Sequence, residues 1–452
     1  MDQERWYLDW YDRTVRYAKR YLDPTRKIAI TANPSYLATF DGQVAVLTAA
    51  PLLSRMTPFV ILSFPDVSIL PSLPWAGRSL HEIALTSMKA ANPFGGYAVS
   101  EIEDGDFLFH LGPNGSDFVV HGAGWNAFVG PAPSPLPMAE QTTGIGAALA
   151  VILAAAHLFR NPFAAFAESF VCNAYHWREA VAESPTLGRD VPLGHVFVAG
   201  LGSVGSSALY FLSLVTRDFS ATLVDMDKVE VKNITRSPIF SAEDARLDRA
   251  KVTSVEAFLR SAGVANVRAD PVALDASHCW TERQSGTPDI LVAAANERNV
   301  RYHIETAYPP IQIYATTGNN WQTTLITHIP GDQTCSLCLF PPEPTYAPMA
   351  CATDTVAPTP AQPHEQVDAA LPFLSFIAGL MTAAEILKLT LPEYSVARNK
   401  TSLYLRDRPI LLQTPIVHRQ GCMCETRSRS VHSAMTEGSL FAGRSLFSLG
   451  TR

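Results

Sequence analysis

Residues 196–209 read VFVAGLGSVGSSAL, in which an apolar run enters a glycine-rich turn and continues as a second apolar run. Gly200, Gly202 and Gly205 give the pattern GxGxxG. Glycines at this spacing let backbone N–H groups approach a phosphate at the start of a helix. The stretch therefore predicts a strand, a turn and a helix that begin a nucleotide-binding parallel sheet. The pattern alone does not select a nucleotide, because dehydrogenases and methyltransferases share it.

Two further apolar runs extend this sheet. ATLVD at 221–225 is predicted to be a strand that ends in an acid, and DILVAAAN at 289–296 fits the next parallel strand. Strands that alternate with helical runs in this way are typical of a doubly wound α/β fold.

The first half of the chain resembles the second half, but its motifs are less complete. FVILSFPDV at 59–67 parallels ATLVD, and VAVLTAAPLLSR at 44–55 is interpreted as a strand that runs into a turn without a glycine motif. The apolar helix predicted at 144–160 parallels the one at 377–389, and each closes its half. The alternative is two unrelated α/β regions, since such patterns are common.

We therefore predict an α/β protein with two Rossmann-like halves that form a pseudodimer. The half at 1–185 is inactive because it has no phosphate loop, and the half at 194–425 contains the glycine motif. A linker of turn-forming composition near 185–193 joins them. Residues 426–452 are rich in Ser, Arg and Gly without a clear period, which predicts a mobile tail.

Composition excludes several classes of protein. The 452 residues are 47% hydrophobic and 17% charged, with a formal net charge of -7, so a basic nucleic-acid surface is not expected. The N-terminal sequence MDQERWYLDWYDR is charged and aromatic, unlike a signal peptide. The most apolar run, 145–159, is short for a bilayer-spanning helix. We expect a cytoplasmic protein that binds neither nucleic acid nor membrane.

The stretch DMDKVEVKNITR, which begins at Asp225, distinguishes among nucleotide-binding proteins. Asp225 is placed to hold ribose hydroxyls, and Asn233 and Arg236 follow it at short spacing. Lys251 lies further along the chain. A dehydrogenase has no evident need for Arg and Lys at these places. Attack on a phosphate, in contrast, puts charge on oxygens that Arg and Lys can stabilise.

The series GLGSVGS, LVDMDKVEVKNITR and AKV resembles the ThiF/MoeB/ubiquitin-activating superfamily over roughly 194–425. Its members use ATP and magnesium to adenylate the C-terminal glycine of a ubiquitin-fold protein. By this resemblance Asp225 would hold the ribose, and Arg236 and Lys251 would act on the phosphates as catalytic residues. The resemblance implies an ATP site formed by Gly200, Gly202, Gly205, Asp225, Asp227, Asn233, Arg236, Lys251 and Asn296.

Two positions depart from the superfamily pattern. Ser237 stands where a glutamine usually follows the arginine, and Asn296 stands where an aspartate approaches the metal and the phosphates. Asn can coordinate Mg²⁺ through its carbonyl oxygen but brings no negative charge for a hard cation. Either Glu297 substitutes or the nucleotide holds most of the magnesium itself. A nucleotide-binding scaffold without catalysis therefore stays open as an alternative.

Four of the seven cysteines form two close pairs, Cys335-x-x-Cys338 and Cys422-x-Cys424. Four thiolates suit a closed, structural zinc site. The superfamily contains such a site, usually as two Cys-x-x-Cys pairs. We therefore predict one structural Zn²⁺, with free buried cysteines as the alternative.

Cys351 lies in a stretch rich in Pro, Ala and Thr, thirteen residues after Cys338. This position resembles that of the catalytic cysteine of ubiquitin- and SUMO-activating enzymes, whose thiolate takes the acyl group from the adenylate. The alternative is an inert cysteine, because no base is identifiable near it in sequence. Cys172 and Cys279 are interpreted as packing residues.

The stretch WYDRTVRYAKRYL at 10–22 resembles the signature that opens adenylation halves of ubiquitin-activating enzymes. By that resemblance Arg13 reaches the ATP of the other half, and Arg16 matches the second arginine of the signature. The alternative is an amphipathic helix with solvated arginines.

These features predict an enzyme that activates a ubiquitin-like protein, forms a thioester on Cys351 and passes the modifier to a ubiquitin-conjugating-type enzyme. It would work as a monomeric pseudodimer or as a homodimer. The short chain around and after Cys351 resembles compact activating enzymes of bacterial ubiquitin-like conjugation operons, and among these the Bil-type antiphage operon is the one that we favour. Adenylation alone, as for sulfur-carrier proteins, is the main alternative, and a NAD-dependent dehydrogenase is a distant one.

Overall fold

Each half of the chain forms its own mixed β-sheet. The computed structural model describes residues 2–446 with gaps, and the residues left out within that range are 116, 139–142, 189, 275–277, 279, 281, 296–297, 331–333 and 342–370.

The first half contains the first sheet and the helices that cover it. Its helices are α1 (Gln3–Ala18), α2 (Pro34–Leu37), α3 (Phe40–Leu53), α4 (Leu80–Ala91) and α5 (Ile145–Arg160). Its strands are β1 (Ile28–Ala32), β2 (Val60–Ser63), β3 (Ala98–Val99), β4 (Phe107–Leu111), β5 (Val119–Ala123), β6 (Asn126–Gly130) and β7 (Phe170–Asn173).

The second half begins with the strand that enters the glycine turn. Its helices are α6 (Ser203–Val215), α7 (Val231–Ile234), α8 (Ala242–Arg246), α9 (Lys251–Ser261), α10 (Arg298–Thr306), α11 (Ser336–Leu339), α12 (Pro372–Leu389) and α13 (Arg429–Thr436). Its strands are β8 (Gly194–Ala199), β9 (Phe219–Val224), β10 (Asn266–Asp270), β11 (Ile290–Ala293), β12 (Ile311–Gly318), β13 (Gln322–His328), β14 (Lys400–Tyr404) and β15 (Ile410–Thr414).

The two sheets share one strand order. The first runs β3-β2-β1-β4-β5-β6-β7, and the second runs β10-β9-β8-β11-β12-β13-β14-β15. Neighbours are parallel from β3 to β5 and from β10 to β12. The strands that follow are antiparallel in both sheets. The prediction of two Rossmann-like halves is confirmed.

The strand predicted at 44–55 is wrong, because Phe40–Leu53 form α3. All 14 residues of this helix are buried, so it has no side that faces solvent. A short apolar run without a polar face has no period that separates a buried helix from a buried strand. The first strand of this half is instead β1, and α3 is the counterpart of α6 in the second half.

Apolar helices fill the space between the two sheets. α5 packs on β5 and β6, α12 packs on β12 and β13, and these two helices also pack against each other. α3 lies beside α5, and α6 lies beside α12. By length and composition α12 could cross a membrane, but all of it is buried inside the protein, as in a core helix of a soluble protein.

The region after the last strand is folded where the structure describes it. Met435 of α13 and Phe441 are both fully buried. The N–H of Leu440 donates to Asp289 Oδ1 at 3.1 Å. These contacts differ from the mobile tail expected for 426–452. This segment is mostly polar and is held to the protein by a few apolar residues. These residues are too few to give the periodicity that would predict a helix from the sequence.

Candidate nucleotide site and cysteine cluster

The glycine turn brings the start of α6 to the carboxyl ends of the parallel strands. Gly200 has φ +89, and a Cβ there would lie 2.5 Å from the backbone nitrogen of Ala295. A Cβ on Gly205 would lie 2.0 Å from the carbonyl oxygen of Gly200. A Cβ on Gly202, in contrast, would meet no atom of the described residues within 4 Å. Gly200 and Gly205 are thus needed for packing, whereas Gly202 borders open space at the helix N-terminus.

Asp225, at the end of β9, holds the turn in shape. Its Oδ2 accepts the N–H of Leu201 at 2.6 Å, and its Oδ1 accepts the N–H of Asp227 at 2.9 Å. Burial raises the pKa of Asp225, while Lys251 and the two backbone donors act in the opposite direction. Because carboxylate oxygens can accept further hydrogen bonds, the ribose contact of Asp225 stays a prediction beside this structural role.

Lys251 joins the two aspartates in a charged cluster. Its Nζ lies 2.6 Å from Asp227 Oδ2 and 3.9 Å from Asp225 Oδ1. The side chains of Lys251 and Asp225 are each 9% exposed, and that of Asp227 is 32% exposed. Residues that the sequence separates by 24 positions therefore meet beside the glycine turn.

The segment after this cluster contains α7 and the predicted phosphate-binding arginine. Asn233 Oδ1 accepts the N–H of Glu230 at 2.9 Å and so caps α7. Arg236 is half-buried, and its Nε lies 3.4 Å from the carbonyl oxygen of Lys232. Ser237, where the superfamily has glutamine, accepts the N–H of Ile239 through Oγ at 3.2 Å. This serine shapes the turn that follows Arg236.

Helix α1 of the first half crosses to the second half and packs beside α7. Its Tyr17 accepts the N–H of Trp321 at 3.1 Å and donates to the carbonyl oxygen of Gly318 at 2.9 Å. Arg13 on this helix is half-buried, and its Nε is buried without a hydrogen-bond partner in the described part of the protein. The structure thus brings the helix of Arg13 to the segment of Arg236.

Other residues singled out in the sequence lie outside the described residues. They are Asn296, Glu297, Cys279 and Cys351. Their proposed roles stay predictions.

The four paired cysteines come together at one place. The Sγ atoms of Cys335, Cys338, Cys422 and Cys424 all lie within 4.8 Å of one another. Cys335 is 3.4 Å from Cys422, and Cys338 is 3.5 Å from Cys424. Sulfur atoms around a tetrahedral zinc, with Zn–S bonds of about 2.3 Å, would lie about 3.8 Å apart. The donor set therefore fits one zinc ion.

A buried glutamate that the sequence analysis missed anchors this cluster. Glu305 accepts the N–H of Ser336, within the first cysteine pair, at 2.9 Å, and an Arg427 N–H at 3.0 Å. Burial acts to raise the pKa of Glu305, but His328, Arg427 and hydroxyl donors bring it below its usual value. In sequence this residue is one acid in a helix of mixed polarity, which gives no signal of burial.

A family model matches residues 190–418, slightly more than half of the chain, and it describes the ThiF family. The chain belongs to the ThiF family. No curated protein matches it by sequence. E. coli MccB with selenomethionine MccA is 16% identical at a TM-score of 0.37, over 52% of this chain and 67% of that chain.

Two further solved structures give similar values. E. coli MccB with MccA-N7isoASN is 14% identical at a TM-score of 0.38, over 69% of this chain and 98% of that chain. Selenomethionine PaaA is 17% identical at a TM-score of 0.35, over 50% of this chain and 65% of that chain. At these scores the membership of the ThiF family rests on the family model.

Gly202→Leu should weaken nucleotide binding without disturbing the fold. The added side chain would enter the open space in front of α6, where phosphates would sit, so ATP binding should weaken by about 100-fold or more. Calorimetric titration with ATP measures this. As a matched control, Gly205→Ala should destabilise the protein by about 1–3 kcal/mol, because its Cβ clashes with backbone. ATP binding by Gly202→Leu at normal affinity would exclude this turn as the phosphate site.

Metal analysis of the purified protein should find about one zinc per chain if the cysteines close one tetrahedral site. Cys422→Ala should lose the metal and lower the free energy of unfolding by about 3 kcal/mol or more, because metal binding stabilises only the folded state. Cys172→Ala, which alters a buried cysteine outside the cluster, should keep the metal. A metal-free protein of full stability would contradict the assignment.

Proposed function

We propose that this protein uses ATP to adenylate the C-terminal carboxylate of a ubiquitin-like protein. Membership of the ThiF family supports adenylation. The observation that favours it most is the cluster of Lys251, Asp227 and Asp225 beside the start of α6. A cationic side chain and a helix N-terminus at the same edge of the sheet both attract phosphate.

In the proposed reaction a carboxylate oxygen of the modifier forms a bond to the α-phosphorus of ATP. The bond from that phosphorus to the bridging oxygen of pyrophosphate breaks, and pyrophosphate leaves. Lys251 and Arg236 would stabilise the charge on the phosphoryl oxygens. Lys251 can exchange the partly exposed Asp227 for a phosphoryl oxygen without leaving the cluster. Mg²⁺ would be held mainly by the nucleotide, with the carbonyl oxygen of Asn296 as a neutral ligand.

The first half would take part through α1. This helix lies beside α7, and the buried Nε of Arg13 has no hydrogen-bond partner among the described residues. Both observations support a contribution of this arginine to the phosphate site of the second half. A chain with both halves would then complete one site within a single pseudodimer.

The finer proposal concerns the modifier after adenylation. The thiolate of Cys351 would attack the acyl carbon of the adenylate, form a thioester and release AMP. Its support is the position of Cys351 in the sequence, thirteen residues after Cys338, which belongs to the cysteine cluster. A conjugating-type enzyme would then accept the modifier by thioester exchange. The resemblance to Bil-type operons supports a cytoplasmic, antiphage setting.

Arg13→Ala should slow ATP–pyrophosphate exchange by about 100-fold, because a charge contact made in the transition state is lost. Exchange is measured with the purified protein and its modifier, and the unfolding midpoint should not change. Arg5→Ala, which removes an exposed arginine from the same helix, is the matched control and should exchange normally. A normal rate for Arg13→Ala would leave Arg13 as a surface residue of an amphipathic helix.

Cys351→Ala should keep pyrophosphate exchange but abolish a thiol-sensitive band of enzyme plus modifier on a non-reducing gel. Transfer to the conjugating enzyme should disappear with the band. Cys279→Ala should retain both. If Cys351→Ala still forms the band, another cysteine is the nucleophile. If the unmutated protein exchanges pyrophosphate but forms no band, the protein adenylates without a thioester step.

A further inference from the structure

The first half supplies a buried arginine to the segment that contains Arg236. Arg55, two residues after the end of α3, is 3% exposed. Its Nε donates to the carbonyl oxygen of Ile234 at 2.9 Å and to that of Ser237 at 2.6 Å. A terminal N–H donates to the carbonyl oxygen of Phe240 at 3.2 Å. One guanidinium therefore holds the backbone on both sides of Arg236.

The other terminal nitrogen of Arg55 donates to the carbonyl oxygen of Pro51 at 2.8 Å, which ties the guanidinium to its own helix. Every hydrogen-bond partner of Arg55 in the described structure is thus a backbone carbonyl. Burial lowers the pKa of Arg55 to about 10, so it remains a cation at neutral pH. Hydrogen bonds from a charged donor are stronger and more directional than neutral ones.

Stability alone does not explain this arrangement. A buried cation without a carboxylate has a large desolvation cost, and an apolar side chain of similar volume could fill the space. Buried polar groups that are fully hydrogen-bonded instead fix one conformation of what they contact. Here the contacted backbone is the turn between α7 and α8.

The pseudo-symmetry of the fold gives an independent comparison. Arg217 follows α6 at the position at which Arg55 follows α3. It crosses in the opposite direction and donates to the carbonyl oxygen of Leu73, between β2 and α4 of the first half, at 3.3 Å. It also pairs with Asp190 at 3.4 Å, and its side chain is 26% exposed. The buried Arg55 thus makes three hydrogen bonds to the loop of the half with the glycine motif, whereas Arg217 makes one longer hydrogen bond to the equivalent loop.

We propose that Arg55 is a positioning residue that acts from the inactive half on the phosphate site, by holding residues 234–240 so that Arg236 faces the nucleotide. This inference rests on the proposed adenylation for its effect on rate, but the contact itself is independent of it. The inactive half would then contribute to catalysis by two routes, through α1 and through Arg55.

Replacing Arg55 should disturb the alignment of Arg236 rather than the binding of ATP. The phosphates would still meet the glycine turn and Lys251, whereas Arg236 would no longer be fixed against the charge that develops. A displacement of about 1 Å at a catalytic group can cost about 100-fold in rate. We therefore expect an effect on kcat with little change in the KM for ATP.

The test replaces Arg55 by Met and by Lys and measures pyrophosphate exchange with the full-length protein. Arg55→Met should lower kcat by about 100-fold, and Arg55→Lys by about 10-fold because one ammonium cannot reach all the carbonyls. The KM for ATP should stay within about threefold. Arg217→Met, the pseudo-symmetric control, should stay within about twofold in kcat. If Arg55→Met does not fold, Arg55→Lys gives the same comparison.

A double-mutant cycle separates positioning from general stability. In an Arg236→Ala background, Arg55→Lys should cost less than about twofold in kcat, because the arginine it positions is already absent. A further tenfold loss in that background, or normal kcat and KM for Arg55→Lys alone, would overturn the proposal.

Hydrogen exchange decides the contact even if the protein does not adenylate. The backbone amides of residues 231–240, apart from Pro238, should exchange about tenfold faster in Arg55→Lys than in the unmutated protein, and should be unchanged in Arg217→Met. If the proteins show this pattern of hydrogen exchange but the unmutated protein has no pyrophosphate exchange, adenylation is rejected. The contact between Arg55 and residues 234–240 is then retained. Equal protection of these amides in all three proteins would reject the proposal that Arg55 holds residues 234–240.

Discussion

The helices between the two sheets have no side open to solvent, and this constraint organises the molecule. All residues of α3 and of α12 are buried, and in α5 only the last residue is not. A predominantly apolar helix of this kind has to be covered on every side. Each half can cover one face with its own sheet, and only the other half can cover the opposite face. Burial of apolar surface is therefore the main interaction that joins the two halves.

Polar contacts across this interface then align the halves. Tyr210 of α6 donates to the carbonyl oxygen of Leu47 in α3. Lys388 of α12 pairs with Glu385 at 2.6 Å and lies 3.4 Å from the carbonyl oxygen of Tyr175, at the end of the first half. Such bonds are directional, so they fix a register that apolar packing alone leaves loose. A half without a glycine turn can thereby affect the geometry of the half that has one.

The sequence predicted the parts of the fold whose patterns are local. The glycine turn, the acid at the end of β9 and the cysteine pairs stand at short, fixed spacings, and the structure brings each set together. α3 was not recognised because complete burial removes the periodicity that separates a helix from a strand. The second sheet was recognised more readily than the first because β8 leads directly into the glycine motif.

Residues that act through long-range contacts were missed. Arg55 is a lone charge after an apolar run, and its three acceptors in the second half lie 179, 182 and 185 positions away. Glu305 is one acid in α10, and two of its partners, Ser336 and Arg427, come from distant segments. Carbonyl acceptors exist at every residue, so no sequence pattern marks which of them a buried arginine will find. Only the paired topology of the sheets shows that Arg55 and Arg217 occupy equivalent places.

The buried helices also have a consequence for synthesis on the ribosome. α5 is complete at residue 160, but α12, which covers it, ends at residue 389. At translation rates of about 5–20 residues per second, roughly 10–45 seconds pass between the synthesis of α5 and that of α12. During that interval the nascent first half presents an uncovered hydrophobic layer to the cell. The first half therefore buries this layer only once the second half has been made.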